Sequence, residues 1–346
     1  MSHVVPAGAV ALLLMAALPA ADGQWVERAS GVSVRLRGLS ASSDTVVWAS
    51  GARGTVLRSV DGGLEWERLP VPGAEGLDFR DVDAVSDTTA YLLSIGNGDA
   101  SRIYKTTDAG STWSLQFTND DASAFYDAMA FWDADSGVAV SDSVDGQFVV
   151  RITRDGGRTW ARVAARRLPP ALPNEGYFAA SGTNVAVFGT RHVWLGTGAA
   201  ATARVLRSDD RGETWSVAPT PLAAGPTSGI YSIAFRDEQH GVIVGGDYAN
   251  ESEAIDNVAV TADGGASWTL VRDRGVAGFR SVVRHVPGTA STWLAVGPSG
   301  SDISTDDGRT WMPVAGPGYD TFSFAPGKTF GWGAGAGGRL GSLQIR

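Results

Sequence analysis

Cysteine is absent from the 346 residues. That excludes disulfides, thiolate metal ligands and a cysteine nucleophile. Histidine is scarce: His3, His192, His240 and His285 are scattered without ligand spacing, so no metal site is expected. His240, in the turn-like Asp237-Glu238-Gln239-His240-Gly241, reads as a solvated loop residue. Positive charge is in deficit. Twenty-eight Lys and Arg face 37 Asp and Glu, a net charge of −9, which argues against nucleic acid or an anionic membrane as main partner. No segment reads as a helix, so no strand leads through a Gly-rich phosphate loop into one. A dinucleotide cofactor is therefore not expected, and nothing in the sequence proposes another. The one long apolar run, residues 7–20 (AGAVALLLMAALPA), is too short to span a bilayer comfortably.

Glycine and tryptophan are abundant, at 45 and 12 residues. Glycine is at nearly twice its usual frequency and follows no collagen-like period. Half of the tryptophans close an eight-residue pattern, Ser/Thr-x-Asp-x-Gly-x-x-Trp, that occurs six times. It runs from Ser59 to Trp66, Thr106 to Trp113, Thr153 to Trp160, Ser208 to Trp215, Thr261 to Trp268 and Ser304 to Trp311. Each part suits a tight hairpin. The carboxylates of Asp61, Asp108, Asp155, Asp210, Asp263 and Asp306 can accept hydrogen bonds from the turn amides that follow them. The glycine allows a positive φ, the hydroxyl ties down the incoming strand, and the tryptophan begins the next strand with a large apolar face. The six acids are thus expected to fix turns and not to catalyse.

Successive tryptophans of the pattern lie 47, 47, 55, 53 and 43 residues apart. A period of about 40–50 residues in a β-rich chain predicts propeller blades of four strands, with the pattern joining the third strand to the fourth. Gln24-Trp25-Val26-Glu27-Arg28 looks like the strand after each turn, yet no turn precedes it. Residues 319–345 supply strands with no turn after them. Joining the two ends closes the ring and removes its open edges. The expectation is all-β: a single seven-bladed β-propeller over residues 24–346, its last blade closed by the N-terminal strand. Residues 1–23 read as a secretory signal peptide, which implies an exported, periplasmic or extracellular protein with no membrane span after cleavage. No Lys or Arg precedes the apolar run, and a retained anchor is the alternative.

In a propeller the innermost strands line a central channel. Aligned by their alternation, they place Arg37, Arg80, Tyr126, Phe178, Tyr231, Arg280 and Asp320 at one mouth. Three arginines would be a local exception in an acidic protein and suit a carboxylate or another anion. The same residues could equally bond to one another and fill a water-lined channel. The acidic segment 247–256 (DYANESEAID) reads as a loop.

The repeated pattern resembles the Asp-box, or bacterial neuraminidase repeat, which is a structural device and names no activity. Six such boxes on a seven-bladed ring, with stretches such as FYDAMAFWDADSGVAVSD and AFRDEQHGVIVGGD, resemble the photosystem II stability and assembly factor family and its exported bacterial relatives. The resemblance implies a non-enzymatic propeller that binds a protein segment during assembly through an arginine patch, with Arg37, Arg80 and Arg280 as candidates. The ligand expected at this mouth is a protein segment, an acidic peptide or a small anion, and the protein is expected to be a monomer. The rival is a glycoside hydrolase of sialidase type. Arg37, Arg80 and Arg280 would serve as its arginine triad and Tyr231 or Tyr319 as its nucleophile, with Glu175, Asp81, Asp127 or Asp320 as acid. The Arg-Ile-Pro signature of sialidases is missing from Val34-Arg35-Leu36-Arg37-Gly38, and no distinctive pair of acids stands out.

Overall fold

The computed structural model describes residues 23–346; apart from Gly23, the expected signal peptide lies outside them. Among the described residues no helix is long and apolar enough to cross a membrane. The strands form seven antiparallel sheets of four. Blade 1 runs outward through Leu36–Ala41, Val47–Gly51, Thr55–Ser59 and Glu67–Arg68. The innermost strands of blades 2 to 7 are Asp78–Ala84, Tyr126–Phe131, Val185–Phe188, Ser228–Phe235, Val282–His285 and Thr321–Phe324. Each lies against the innermost strands of its two neighbours, so the seven make a ring. Helical structure among the described residues is confined to three single 3-10 turns.

The ring closes as its chain ends require. Gly23–Arg28 pairs antiparallel with Leu340–Ile345 and becomes the outer strand of blade 7, with Trp25 opposite Leu343. Trp25 is 7% exposed and lies 4.2 Å from the ring of Tyr319. It also meets Phe322 edge-on.

The core is divided among seven apolar clusters, each between two neighbouring blades. A strand's side chains alternate between its two faces, and in a propeller both faces meet another blade. The second strands are therefore apolar on both sides: Val47–Gly51, His192–Gly196 and Trp293–Gly297 are buried throughout.

The six repeated turns share one hydrogen-bond plan. In the third, Thr153 Oγ1 accepts from the Gly157 amide at 2.8 Å and donates to Asp155 at 3.0 Å. Asp155 in turn accepts from the Thr159 amide and hydroxyl. Two consecutive residues after the aspartate take positive φ, not the single glycine expected. The first of the two is glycine in three turns and Ala109, Arg211 or Asp307 in the others. Large aromatics on second strands stitch these turns to the preceding blade. Trp332 Nε1 donates to the Gly62 carbonyl, Tyr91 Oη to that of Gly156, and Trp194 Nε1 to that of Gly264.

Candidate functional site

Four innermost strands carry a β-bulge at the same point. The register skips Arg37 in blade 1, Arg80 in blade 2, Asp127 in blade 3 and Tyr231 in blade 5. A bulge inserts one residue into the alternation and re-aims its side chain. Here the skipped residues line a cavity of about 740 Å³ at one mouth of the ring, together with Phe178, Ser281 and Asp320. Two of the residues placed there by alternation sit elsewhere, because a slip of one residue exchanges the faces of a strand. Tyr126 is fully buried between blades, where its hydroxyl accepts from Arg151 Nε at 2.5 Å. Arg280 is 2% exposed and bonds Asp302 at 2.6 Å, with further bonds to Ser299 and the Phe279 and Ala277 carbonyls. The channel positions of those blades belong to Asp127 and Ser281. Arg37, Arg80, Tyr231 and Asp320 do line the mouth.

The channel is interrupted by blade 4. Its segment 177–184 enters the ring ahead of the innermost strand and bonds to four other blades. Arg80 donates to the Ala179 carbonyl at 3.0 Å, Ser181 Oγ to the Ser281 carbonyl at 2.7 Å, and Thr321 Oγ1 to the Ser181 carbonyl. Thr183 and Ser232 share a hydroxyl bond of 2.7 Å. Gly182 sits at φ 73°, and a side chain there would run into the Asp81 carboxylate. The mouth is thus a closed-bottomed basin.

The basin has three sectors. The first is cationic. Arg35 grips Asp320 with two bonds, of 2.9 and 2.5 Å. Arg80 pairs with Asp78 at 2.9 Å. Arg37 has no acidic partner among the described residues. Its burial, with Arg80 and Arg35 beside it, lowers its pKa to about 10, far below the usual guanidinium value. The second sector is aromatic. Phe178 stacks on Tyr231 at 4.1 Å and 2°, Phe279 meets Tyr231 edge-on at 4.6 Å, and Tyr248 flanks both stacked rings. Tyr248, 51% exposed, comes from the acidic loop, which also brings Glu251 to the rim. The third sector is acidic. Asp127 is 1% exposed, and its Oδ2 has no hydrogen-bond partner. Burial, then repulsion from Asp142, raises its pKa well above the carboxylate range. Asp142 accepts from the Tyr177 amide at 2.8 Å and is raised by burial to about 6.

Of the acidic sector, Asp127 was visible in the sequence only as one acid among several near the mouth, and Asp142 was not visible at all. Asp142 closes the regular part of a second strand, where alternation says nothing about the channel. Arg35 was within reach, two residues before Arg37 on the same face, but it precedes the strand. The constellation of a sialidase does not assemble. Arg280 is committed to Asp302, and Glu175 is locked against Arg204 and Thr197. The Tyr231 hydroxyl donates to the Thr227 carbonyl, and burial raises its pKa, opposite to what a nucleophile needs.

No protein-family model matches the chain. A sequence of the cyanobacterium Synechococcus sp. (strain CC9902), named photosystem II assembly lipoprotein Ycf48, is 28% identical over 225 residues. The match covers 64% of this chain and 57% of that relative's length. The chain resembles Ycf48. Solved structures carry the likeness in fold across nearly the whole length. A structure of Ycf48 bound to a D1 peptide superposes with a TM-score of 0.67 at 14% identity, covering 95% of this chain and 99% of that one. Ycf48 from Cyanidioschyzon merolae gives 0.66 at 17%, covering 92% and 98%. A structure of U3-55K gives 0.61 at 15%, covering 94% and 99%. At such identities the structures share the propeller alone.

Proposed function

We propose that this protein is an exported, non-catalytic propeller that binds a segment of another protein at the arginine-bearing mouth, in the manner of an assembly factor. The observation that carries the reading is Arg37: a half-buried guanidinium that lines an open basin, feels the charges of Arg80 and Arg35, and has no acidic partner among the described residues. An incoming carboxylate would relieve that crowding and meet a planar pair of donors. The aromatic sector gives an apolar side chain a face to pack on, as Tyr and Arg commonly do in binding hot spots. Ycf48, the relative by sequence, is named an assembly protein, and one of its structures holds a peptide. Acidic peptide segments or a chain's terminal carboxylate are the ligands this mouth favours, and a monomer suffices to present it.

Panning a random peptide display library on the purified mature protein tests the reading. Sequences carrying a carboxylate should be enriched. Arg37→Ala with Arg80→Ala should weaken the selected peptides at least tenfold, about 1.4 kcal/mol, and added salt should weaken them too. Turnover of sialoside or glucan substrates, lost on removal of Asp127 or Asp142, would replace this reading with hydrolysis.

A further inference from the structure

Arg37 and Asp127 occupy equivalent bulges two blades apart, and both line the same basin. Neither has an oppositely charged partner within salt-bridge distance among the described residues, and the two do not pair with each other. Such an arrangement is costly. A buried carboxylate oxygen without a donor loses its hydration and receives nothing back. Asp142, the second acid of the sector, adds repulsion to that cost. Its one protein bond, from the Tyr177 amide, uses only Oδ1. Arg204, the nearby cation, cannot relieve the sector, since its guanidinium is spent on Glu175 and the Pro170 carbonyl.

Resting on the reading of the mouth as a peptide site, we propose that it recognises a dipolar ligand, whose anionic group meets Arg37 while a cationic or hydrogen-donating group meets Asp127 and Asp142. The aromatic sector, with Phe178 and Tyr231 stacked and Tyr248 exposed, takes the body of the ligand between its two poles. The partner is therefore not simply acidic. It carries a carboxylate and a lysine or arginine side chain close together, with an apolar or aromatic residue beside them. A ligand with both charges supplies the missing partner at each end of the basin. A purely acidic ligand leaves Asp127 and Asp142 without a donor.

The chemistry is shared by a peptide and by a free zwitterionic amino acid, and binding distinguishes them. The probes are acetylated, amidated peptides containing one Tyr and one Asp, with an Arg placed zero to three residues from the Asp, beside a matched set with Gln in place of Arg. Free L-arginine serves as competitor. The expected result is that at least one Arg spacing binds tenfold or more tightly than its Gln counterpart. That preference should shrink to within twofold in Asp127→Asn and in Asp142→Asn, with both variants melting no lower than the wild type. Displacement by free L-arginine at micromolar concentration would assign the site to the small molecule, and displacement only at millimolar concentration to the peptide. If every Arg peptide binds like its Gln partner, and both depend on Arg37, the dipolar inference falls while the peptide site stands. If no peptide binds up to millimolar concentration, both fall.

Discussion

At the scale of single residues, one aspartate organises each repeated turn, and its work is visible in hydrogen bonds. At Asp155 the amide and hydroxyl of Thr159 hold the carboxyl below its ordinary pKa; at Asp61 the Glu65 amide leads, and at Asp108 the Thr112 hydroxyl. The glycines repay closer reading. The pattern makes only the second of two positive-φ positions an obligatory glycine, and Ala109 occupies the first position of its turn at φ 63°. A left-handed conformation costs a residue with a Cβ about 1–2 kcal/mol, and glycine's extra freedom in the unfolded chain returns roughly 0.4–1 of that. Ala109→Gly should therefore stabilise the protein by about 0.5–1 kcal/mol, read as a shift of the urea midpoint at constant slope. Arg211 and Asp307 hold the same position but bond to neighbouring loops, so glycine there should give no such gain. Alternation located Arg37, Arg80 and Tyr231, which the bulges turn into the basin, and Asp320, which lies one residue before its strand. It missed Asp127 and Ser281 by one residue, since an aromatic at Tyr126 and an arginine at Arg280 look more like site residues than the small or acidic neighbours that face the channel.

At the scale of elements, the N-terminal strand was legible because Gln24 to Arg28 repeats the composition of an outer strand without the turn that should precede it. The structure gives it a second task. Trp25 belongs to the apolar cluster between blades 6 and 7, beside Val282, Leu294 and Phe322. Removing residues 24–28 thus opens a joint as well as an edge, and the loss should reach several kcal/mol. Trp25→Ala alone should cost about 3–5 kcal/mol. Both follow from thermal or urea unfolding of the mature protein, and a truncated form that melts with the intact one would refute the closure as a source of stability. The plug, residues 177–184, was not legible. Its sequence, Tyr-Phe-Ala-Ala-Ser-Gly-Thr-Asn, has the small and hydroxylated residues of an ordinary loop. What makes it a floor for the basin is that its polar groups bond to blades 2, 5, 6 and 7, partners distant in sequence.

For the whole molecule, two populations of carboxyl pull stability in opposite directions with pH. The six turn aspartates have depressed pKa values; at Asp210, Asp263 and Asp306 partial burial opposes the hydrogen bonds, which outweigh it. Such groups stabilise the fold above their unfolded value, and that contribution is lost as pH falls through the folded one. The channel acids behave the other way. Burial raises Asp83 and Asp142 to about 6, and it raises Asp81 and Asp127 well above the ordinary carboxylate value. Between the ordinary carboxylate value and these raised ones the folded state binds more protons than the unfolded chain, so stability must rise as pH falls. The melting temperature should therefore climb on acidification from pH 7 towards pH 4.5, then drop steeply below about pH 4, the unperturbed carboxylate value, as the turns lose their anions. Asp142→Asn should flatten the climb without moving the acid limb, and Asp306→Asn should bring the acid limb on less steeply without touching the climb. The two limbs separate the roles that one residue type plays here. An aspartate at the rim of a blade is ionised because amides converge on it, whereas an aspartate in the channel is held near neutrality because the ring of seven strands excludes the water that would solvate its charge.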